Sequence, residues 1–285
     1  MRSKRHFYMQ VFSGDQVFRQ CAMQLSARRV IMAYFRFENK NIYFEESGNG
    51  SPLLILHGNT ASSKMYADVA ARYASEYKVI LIDFLGHGKS DRLEEFPADL
   101  WFYEAQQVIA FLKKKDCKDV SIIGSSGGAI VAINVALEAP ELVKRVIADS
   151  FAGERSGQKF IEILLADRKN AKNNPGAKGF FEYMHGPDWE QIVDNDTSAI
   201  VRHGNEIADF FHKPLTELKA DILLTGSKED KTMYSISDEY YEKVFGSILQ
   251  KVPNGRMHLF EHGDHPAMLS DFDEFYGLSC DFLRK

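Results

Sequence analysis

Short apolar runs alternate with amphipathic stretches from about residue 35 to the end of the chain. Residues 35–37 and 41–45 alternate apolar and polar side chains, which predicts an antiparallel hairpin at a sheet edge. The apolar stretches at 53–56, 78–82 and 120–123 predict buried strands, and further strands are predicted at 143–147, 222–224 and 257–260. Because helix-forming sequence follows these strands, the pattern predicts an α/β fold. Its sheet should be mostly parallel, of the eight-stranded type, with helices on both faces.

This alternation stops between residues 151 and 218. Helix-like pieces at 160–168 and 191–201 follow one another without a strand between them, and 169–179 has the composition of a loop. A helical insertion in such a sheet predicts a lid over the strand tips, where ligands bind. Its aromatic side chains either line an acyl or aryl pocket or form the lid's own core; they are Phe180, Phe181, Tyr183, Trp189, Phe210 and Phe211. The remaining core then comprises 35–150 and 219–285.

Residues 1–34 fall outside this pattern. The stretch 1–36 is rich in arginine and lysine and has Asp15 as its single acid, as in transit-like or lipid-surface segments. It lacks an apolar run of signal-peptide length and a cleavage site. We therefore expect a poorly ordered or non-core extension, or a domain that begins at Met32.

Composition narrows the classes of function. The 285 residues are 45% hydrophobic and 26% charged with a net charge of −5. These values are ordinary for a soluble globular protein. The net negative charge gives no support to nucleic-acid binding, which needs a basic face. Cys21, Cys117 and Cys280 are widely spaced, which predicts neither a disulfide framework nor a zinc site and fits a cytoplasmic protein. We expect no cofactor, no nucleic-acid partner and no membrane span; the oligomeric state stays open.

The most informative motif joins the strand at 120–123 to the helix that follows. Residues 124–128 read Gly-Ser-Ser-Gly-Gly, a G-x-S-x-G pattern whose glycines permit a strained turn. The central hydroxyl would stand at the strand tip over the positive end of the helix. Ser125 is the competing register, but it would put Ile123 where the turn has no room. Ser126 is therefore the candidate nucleophile.

A serine nucleophile needs a base, and a histidine base needs a carboxylate that orients it. His265 lies in the loop after the last predicted strand, from which its ring can reach the sheet edge. His262 is the alternative, nearer the strand end. The strand at 221–225 opens into a loop with two adjacent acids. We choose Asp230 as the orienting acid and keep Glu229 open, because a shift of one residue would exchange them.

A tetrahedral intermediate also needs backbone N–H donors. Gly127 directly follows the candidate nucleophile. Asn59 lies in the loop after the strand at 53–56, where His57-Gly58 permits a tight turn. We assign the N–H groups of Gly127 and Asn59 to the oxyanion site. His57 and His87 are then expected to pack in turns.

Taken together, these motifs resemble the α/β-hydrolase superfamily, in its lid-bearing serine branch. The matching elements occur in the family's order; they are the residues at 57–59, 83–90, 124–128, 226–230 and 263–265. The resemblance implies a structural role for the turn at 83–90. Two departures are an acid loop one residue longer than the family's commonest form and an unmatched segment at 1–34.

Motifs and resemblance predict a serine hydrolase that cleaves a small-molecule carboxylic ester. The acyl-enzyme would form on Ser126, with His265 as base and Asp230 as orienting acid. Carbon–carbon bond hydrolases, lactonases, thioesterases and perhydrolases share this frame and remain alternatives, as does a non-catalytic ligand receptor. The Asn59 region also resembles haloalkane dehalogenases. Like epoxide hydrolases, those enzymes need an aspartate where this chain has Ser126.

Overall fold

A mixed sheet forms the centre of the computed structural model, which describes residues 30–285. Its strands are β1 (Ile31–Phe37), β2 (Lys40–Ser47), β3 (Ser51–Leu56), β4 (Tyr77–Ile82), β5 (Val120–Ser125), β6 (Val143–Asp149), β7 (Asp221–Ser227) and β8 (Gly255–Phe260). They lie in the order β1-β2-β4-β3-β5-β6-β7-β8. The pairs β1–β2 and β2–β4 are antiparallel, and all the others are parallel. The predicted mostly parallel α/β sheet is confirmed.

The first strand begins earlier than the sequence pattern indicates. Ile31 pairs with Glu46 and Phe37 pairs with Lys40, so residues 31–34 belong to the edge hairpin. The predicted core boundary at residue 35 is therefore corrected to residue 31. Ile31, Met32 and Tyr34 are exposed, which hides the alternation that marks a half-buried strand. The rest of the predicted extension, residues 1–29, lies outside the described residues.

Helices cover both faces of the sheet. They are α1 (Ala67–Tyr73), α2 (Leu100–Lys114), α3 (Gly127–Glu138), α4 (Gln158–Ala171), α5 (Pro175–His185), α6 (Trp189–Glu206), α7 (Lys231–Tyr234), α8 (Tyr240–Leu249), α9 (Ala267–Ser270) and α10 (Phe272–Leu283). Alternate residues of β3 face two different cores. Leu54 and Leu56 belong to the core that includes α2, α3 and α8, whereas Leu53 and Ile55 belong to the core with α1 and α10. Burial on both faces explains the continuous apolar runs.

Three α-helices, α4, α5 and α6, separate β6 from β7 within residues 151–218, the segment named here the helical insertion. Phe181 stacks on Trp189 with ring centroids 5.5 Å apart, in a small cluster of the insertion itself. Phe210 instead packs into the main core, where its ring is 4.9 Å from that of Trp101. These three aromatic side chains are therefore core residues.

The loop between α4 and α5 is shorter than the predicted stretch 169–179. Helix α4 continues to Ala171, and α5 starts at Pro175, a residue suited to the first turn of a helix. Asn174 caps α5, since its side chain accepts the N–H groups of Gly176 and Ala177. Asparagine, proline and glycine thus mark a helix start here.

No helix within residues 30–285 is long and apolar enough to cross a membrane.

Candidate active site

Ser126 occupies the turn between β5 and α3, at the carboxyl edge of the parallel strands. Its backbone has φ +54° and ψ −124°, a strained conformation for a residue with a side chain. The Ser126 N–H donates to the carbonyl of Asp149, at the end of the neighbouring β6, over 2.8 Å. Glycines make the turn possible, because a Cβ on Gly124 would lie 2.1 Å from the carbonyl oxygen of Gly128. The strained turn predicted from G-x-S-x-G is present.

Ser125, the competing register, has a different environment. It is the last residue of β5, and it is buried. Its hydroxyl is hydrogen-bonded to the hydroxyl of Tyr66, which is also buried. Ser125 is therefore tied into the packing beneath the turn, whereas Ser126 stands at its apex.

His265 and Asp230 form a hydrogen-bonded pair. Nδ1 of His265 is 2.8 Å from Oδ2 of Asp230, and the same oxygen accepts the Tyr241 hydroxyl over 2.6 Å. The other oxygen, Oδ1, accepts the N–H groups of Thr232 at 3.1 Å and Met233 at 3.0 Å. Asp230 is fully buried, whereas 16% of the His265 side chain is exposed. The carboxylate is thus held on both oxygens while the imidazole keeps access to solvent.

The electrostatics of this pair favour the charged form of each partner. Burial by itself raises the pKa of Asp230, but the positive charge and hydrogen bond of His265, with the Tyr241 and Met233 bonds, outweigh it and hold that pKa below its ordinary value. Burial by itself lowers the pKa of His265, but the charge and hydrogen bond of Asp230 outweigh it and raise that pKa above its ordinary value. The site therefore stabilises an imidazolium.

Glu229 and His262, the alternatives from the sequence, form a second pair on the surface. Nδ1 of His262 is 3.6 Å from Oε1 of Glu229, and the two side chains are 83% and 59% exposed. Ser227 sets the register of both loops: its hydroxyl accepts the Glu229 N–H at 3.1 Å and lies 2.8 Å from the carbonyl oxygen of Gly263. Glu229 and His262 are thereby turned to solvent, whereas Asp230 and His265 are turned inward.

Asp149 and Ser150 connect the serine turn to the histidine loop, a role that the sequence analysis missed. Besides its carbonyl bond to Ser126, Asp149 accepts the N–H of Met268 on Oδ2 at 3.0 Å and the Thr225 hydroxyl on Oδ1 at 2.8 Å. The Ser150 hydroxyl accepts the N–H of Ala267 at 2.9 Å. Burial raises the pKa of Asp149 to about 6 despite these bonds. The sequence feature that could have indicated this role is an acid at the end of β6, the strand next to β5, which leads into the turn of Ser126.

We expect Asp149→Ala to lower the free energy of unfolding by about 2–4 kcal/mol, because it leaves the buried Met268 N–H and Thr225 hydroxyl without acceptors. Asp149→Asn should cost less, since its amide oxygen can accept from Met268 while its nitrogen donates to a rotated Thr225 hydroxyl. Urea unfolding at pH 7 measures both. The matched control is Asp273→Ala, which removes an exposed acid. A midpoint for Asp149→Ala equal to that of this control would contradict the prediction.

The two predicted oxyanion residues lie together beside Ser126. Gly58 lets the loop after β3 approach the turn, because a Cβ there would lie 3.0 Å from Cβ of Ser126 and from the carbonyl oxygen of Ser125. A Cβ on Gly127 would lie 2.2 Å from Oδ1 of Asn59. Close backbone packing therefore brings Asn59 and Gly127 to the nucleophile turn.

His57 and the turn at 83–90 have structural contacts. Nε2 of the buried His57 accepts the N–H of Phe84 at 3.2 Å, and Nδ1 lies 2.9 Å from the carbonyl oxygen of Gly58. Burial lowers the pKa of His57 well below its ordinary value, so the ring is neutral. The Asp83 carboxylate accepts the N–H groups of Ser63 at 2.6 Å and Lys89 at 2.8 Å. These side chains shape the turns around the site.

Sequence comparison identifies the class of protein. Residues 53–278 match the model of the alpha/beta hydrolase family, and the chain belongs to this family. The resemblance found from the motifs and the predicted fold class are both confirmed.

No group of three or more His, Cys, Asp or Glu side chains within residues 30–285 is arranged to hold a metal ion.

Curated relatives and solved structures are similar over most of their lengths. The chain is 25% identical over 270 residues to the 2-hydroxy-6-oxo-6-phenylhexa-2,4-dienoate hydrolase of Comamonas testosteroni, covering 86% of this chain and 91% of that protein. It is 23% identical to the pimeloyl-[acyl-carrier protein] methyl ester esterase of Aliivibrio salmonicida, covering 82% and 93%. An esterase structure from Exiguobacterium antarcticum superposes with a TM-score of 0.71 at 18% identity, covering 90% and 100%. Proteins named as hydrolases of different substrates are thus similar to this chain in sequence or in fold.

Proposed function

We propose that this alpha/beta hydrolase cleaves a carboxylic ester, or a related acyl bond, of a small molecule through an acyl-enzyme on Ser126. The observation that carries the proposal is the His265–Asp230 pair, with a 2.8 Å bond between Nδ1 and Oδ2. The segment that follows His265 is tied through Asp149 to the strained turn of Ser126. A base, its orienting acid and a nucleophile meeting at one sheet edge support acyl transfer.

The chemistry follows from the orientation of the imidazole. Asp230 accepts a hydrogen bond from Nδ1–H of His265, which leaves Nε2 as the acceptor for the Ser126 hydroxyl proton. Serine oxygen attacks the ester carbonyl, and the N–H groups of Asn59 and Gly127 bind the resulting oxyanion. Collapse of the tetrahedral intermediate expels the alcohol, which takes the proton from Nε2. A water molecule deprotonated by His265 then hydrolyses the acyl-enzyme and returns Ser126 to its starting form.

We further propose that the helical insertion is a lid over this site, with a small-molecule acyl substrate bound beneath it. The support is contact between the insertion and the loop after β3: Nδ2 of Asn59 donates to Asp196 of α6 at 2.8 Å. A segment that touches the proposed oxyanion loop bounds the space available to the acyl group. The bound substrate would be enclosed on that side by protein.

A carbon–carbon bond hydrolase is the second candidate. The similarity to the Comamonas testosteroni enzyme, over 86% of this chain, favours it. Both reactions break a bond to a carbonyl carbon and need the same type of site. The difference lies in the leaving group, which is an alcohol in one case and a carbon acid in the other.

A fluorophosphonate probe followed by intact-mass measurement tests the nucleophile. We expect one adduct per chain in the wild type and in the neighbouring variant Ser125→Ala, and no adduct in Ser126→Ala, because only the apical hydroxyl is activated. Labelling of Ser126→Ala equal to the wild type would exclude Ser126 as the nucleophile.

A panel of esters, lactones, thioesters and a vinylogous 1,5-diketone separates the bond classes. Turnover of the diketone alone would favour the second candidate.

A further inference from the structure

Each of the three helices of the insertion contributes one buried or nearly buried side chain to the loop of Asn59 and Thr60. They are Arg168 of α4, His185 of α5 and Asp196 of α6. We infer that the helical insertion builds part of the oxyanion site, and that Asp196 and Arg168 are positioning residues for the Asn59 N–H. The inference rests on the proposed function, because it assigns that N–H to the oxyanion.

The side chain of Asn59 is held at both ends of its amide. Nδ2 donates to Oδ2 of Asp196 at 2.8 Å, and Oδ1 accepts the indole N–H of Trp101 at 3.2 Å. The indole nitrogen also lies 2.7 Å from the position of a Cβ on Gly127. The clamped amide therefore packs directly against the second proposed oxyanion donor. Rotation of the Asn59 side chain would disturb both donors together.

Thr60 is held in the same way, in a backbone conformation that needs support. Its φ is +55°, in the left-handed region that β-branched residues avoid. Nη1 of Arg168 donates to the Thr60 hydroxyl at 2.8 Å, and that hydroxyl donates to the Asn59 carbonyl at 2.7 Å. Nε2 of His185 lies 2.9 Å from the Thr60 carbonyl oxygen, and Nδ1 accepts the N–H of Gly88 at 3.1 Å. The insertion thus supplies the contacts that oppose this strain.

Asp196 is a buried anion matched to its surroundings. Nη2 of Arg168, 11% exposed, lies 3.6 Å from Oδ1 of Asp196, and Nε2 of His87 lies 3.8 Å from Oδ2. Burial by itself raises the pKa of Asp196, but the His87, Arg168 and Asn59 contacts outweigh it and hold that pKa below its ordinary value. The carboxylate is therefore charged when it accepts from Asn59. Replacing it by a methyl group removes this acceptor and leaves Arg168 without its buried counter-charge.

The test compares Asp196→Ala, Asp196→Asn and a matched control, Asp194→Asn. Asp194 lies two residues away on α6 and pairs with Lys172 at the surface. Rates on an activated ester are divided by the number of sites that a fluorophosphonate titrates, so unfolded chains do not count. We expect Asp196→Ala to lower kcat per site about 10–100-fold with KM within about threefold of wild type. A misplaced oxyanion donor reduces the stabilisation of the transition state but leaves the binding of the substrate almost unchanged.

Asp196→Asn keeps an oxygen that can accept from Nδ2 of Asn59, so we expect it to recover part of the lost kcat. Affinity for a boronic acid that forms a tetrahedral adduct with Ser126 should fall in Asp196→Ala by the same factor as kcat. Arg168→Met tests the same inference at a second contact, because it removes the hydrogen bond from Arg168 to the Thr60 hydroxyl. Asp194→Asn should match the wild type in every measurement.

Three outcomes are distinguishable. An unchanged kcat per titrated site in Asp196→Ala and Arg168→Met, with an active wild type, overturns the inference and leaves the proposed function intact. A rise in KM at constant kcat also overturns it, because it assigns these residues to substrate binding. A wild-type protein with no labelling and no turnover of any substrate overturns both.

Discussion

His265→Ala is expected to lower kcat on an activated ester by about 10³-fold or more, the size typical of the loss of a triad member. The variant removes the nitrogen that accepts the Ser126 proton and leaves the buried Asp230 carboxylate without its partner. KM should change far less, because the imidazole acts on the proton rather than on ground-state binding. Steady-state kinetics per mole of protein, with folding checked by urea unfolding, measure the effect.

His262→Ala is the matched control for that experiment. It lies three residues away in the same loop, but its side chain is 83% exposed and faces Glu229. We expect a rate within about twofold of wild type, as for other surface substitutions. An inactive His262 variant beside an active His265 variant would reverse the assignment of the base.

Residues that are determined by local geometry could be predicted from the sequence alone. The strand at 53–56 is continuous and apolar because its alternate side chains enter two different cores. The turn at Ser126 is equally local: Gly124 and Gly128 approach so closely that a side chain on the first would overlap the second. In both places the evidence lies within a few consecutive residues, whose types show the burial of the strand and the tightness of the turn.

Features that depend on distant packing could not be predicted. The first residues of β1 are exposed at the sheet edge, so their pattern carries no sign of pairing with β2. The sequence favours Asp230 but leaves Glu229 open, because the partner that separates them, His265, lies on a loop 35 positions away. Asp196 contacts Asn59 across 137 positions of sequence. A buried acid on a helix looks like a surface acid until the partner element is placed beside it.

The second large effect is expected at Asp230, whose conservative variant Asp230→Asn should lower kcat by about 10³–10⁴-fold. The reason lies in how the surroundings orient the new amide. Oδ1 faces two backbone N–H donors, from Thr232 and Met233, so the amide nitrogen cannot take that position. It must take the place of Oδ2 and point its hydrogens at Nδ1 of His265. That nitrogen then becomes an acceptor, the proton moves to Nε2, and the ring can no longer deprotonate Ser126.

The pH profile of kcat/KM separates this mechanism from a loss of folding. In the wild type, activity should rise as His265 loses its proton, and the charge of Asp230 places this limb above the ordinary pKa of histidine. Without the Asp230 carboxylate, the largest effect that raises the pKa of His265 is lost. Burial, which lowers that pKa, is then opposed only by the smaller effects of Asp149 and Asp264, so the residual activity of Asp230→Asn should persist to lower pH. Glu229→Gln, on the exposed neighbour, should keep the wild-type rate and limb. Profiles between about pH 5 and 9 measure this shift; an unmoved limb in Asp230→Asn, or a large loss in Glu229→Gln, would contradict the assignment of the acid.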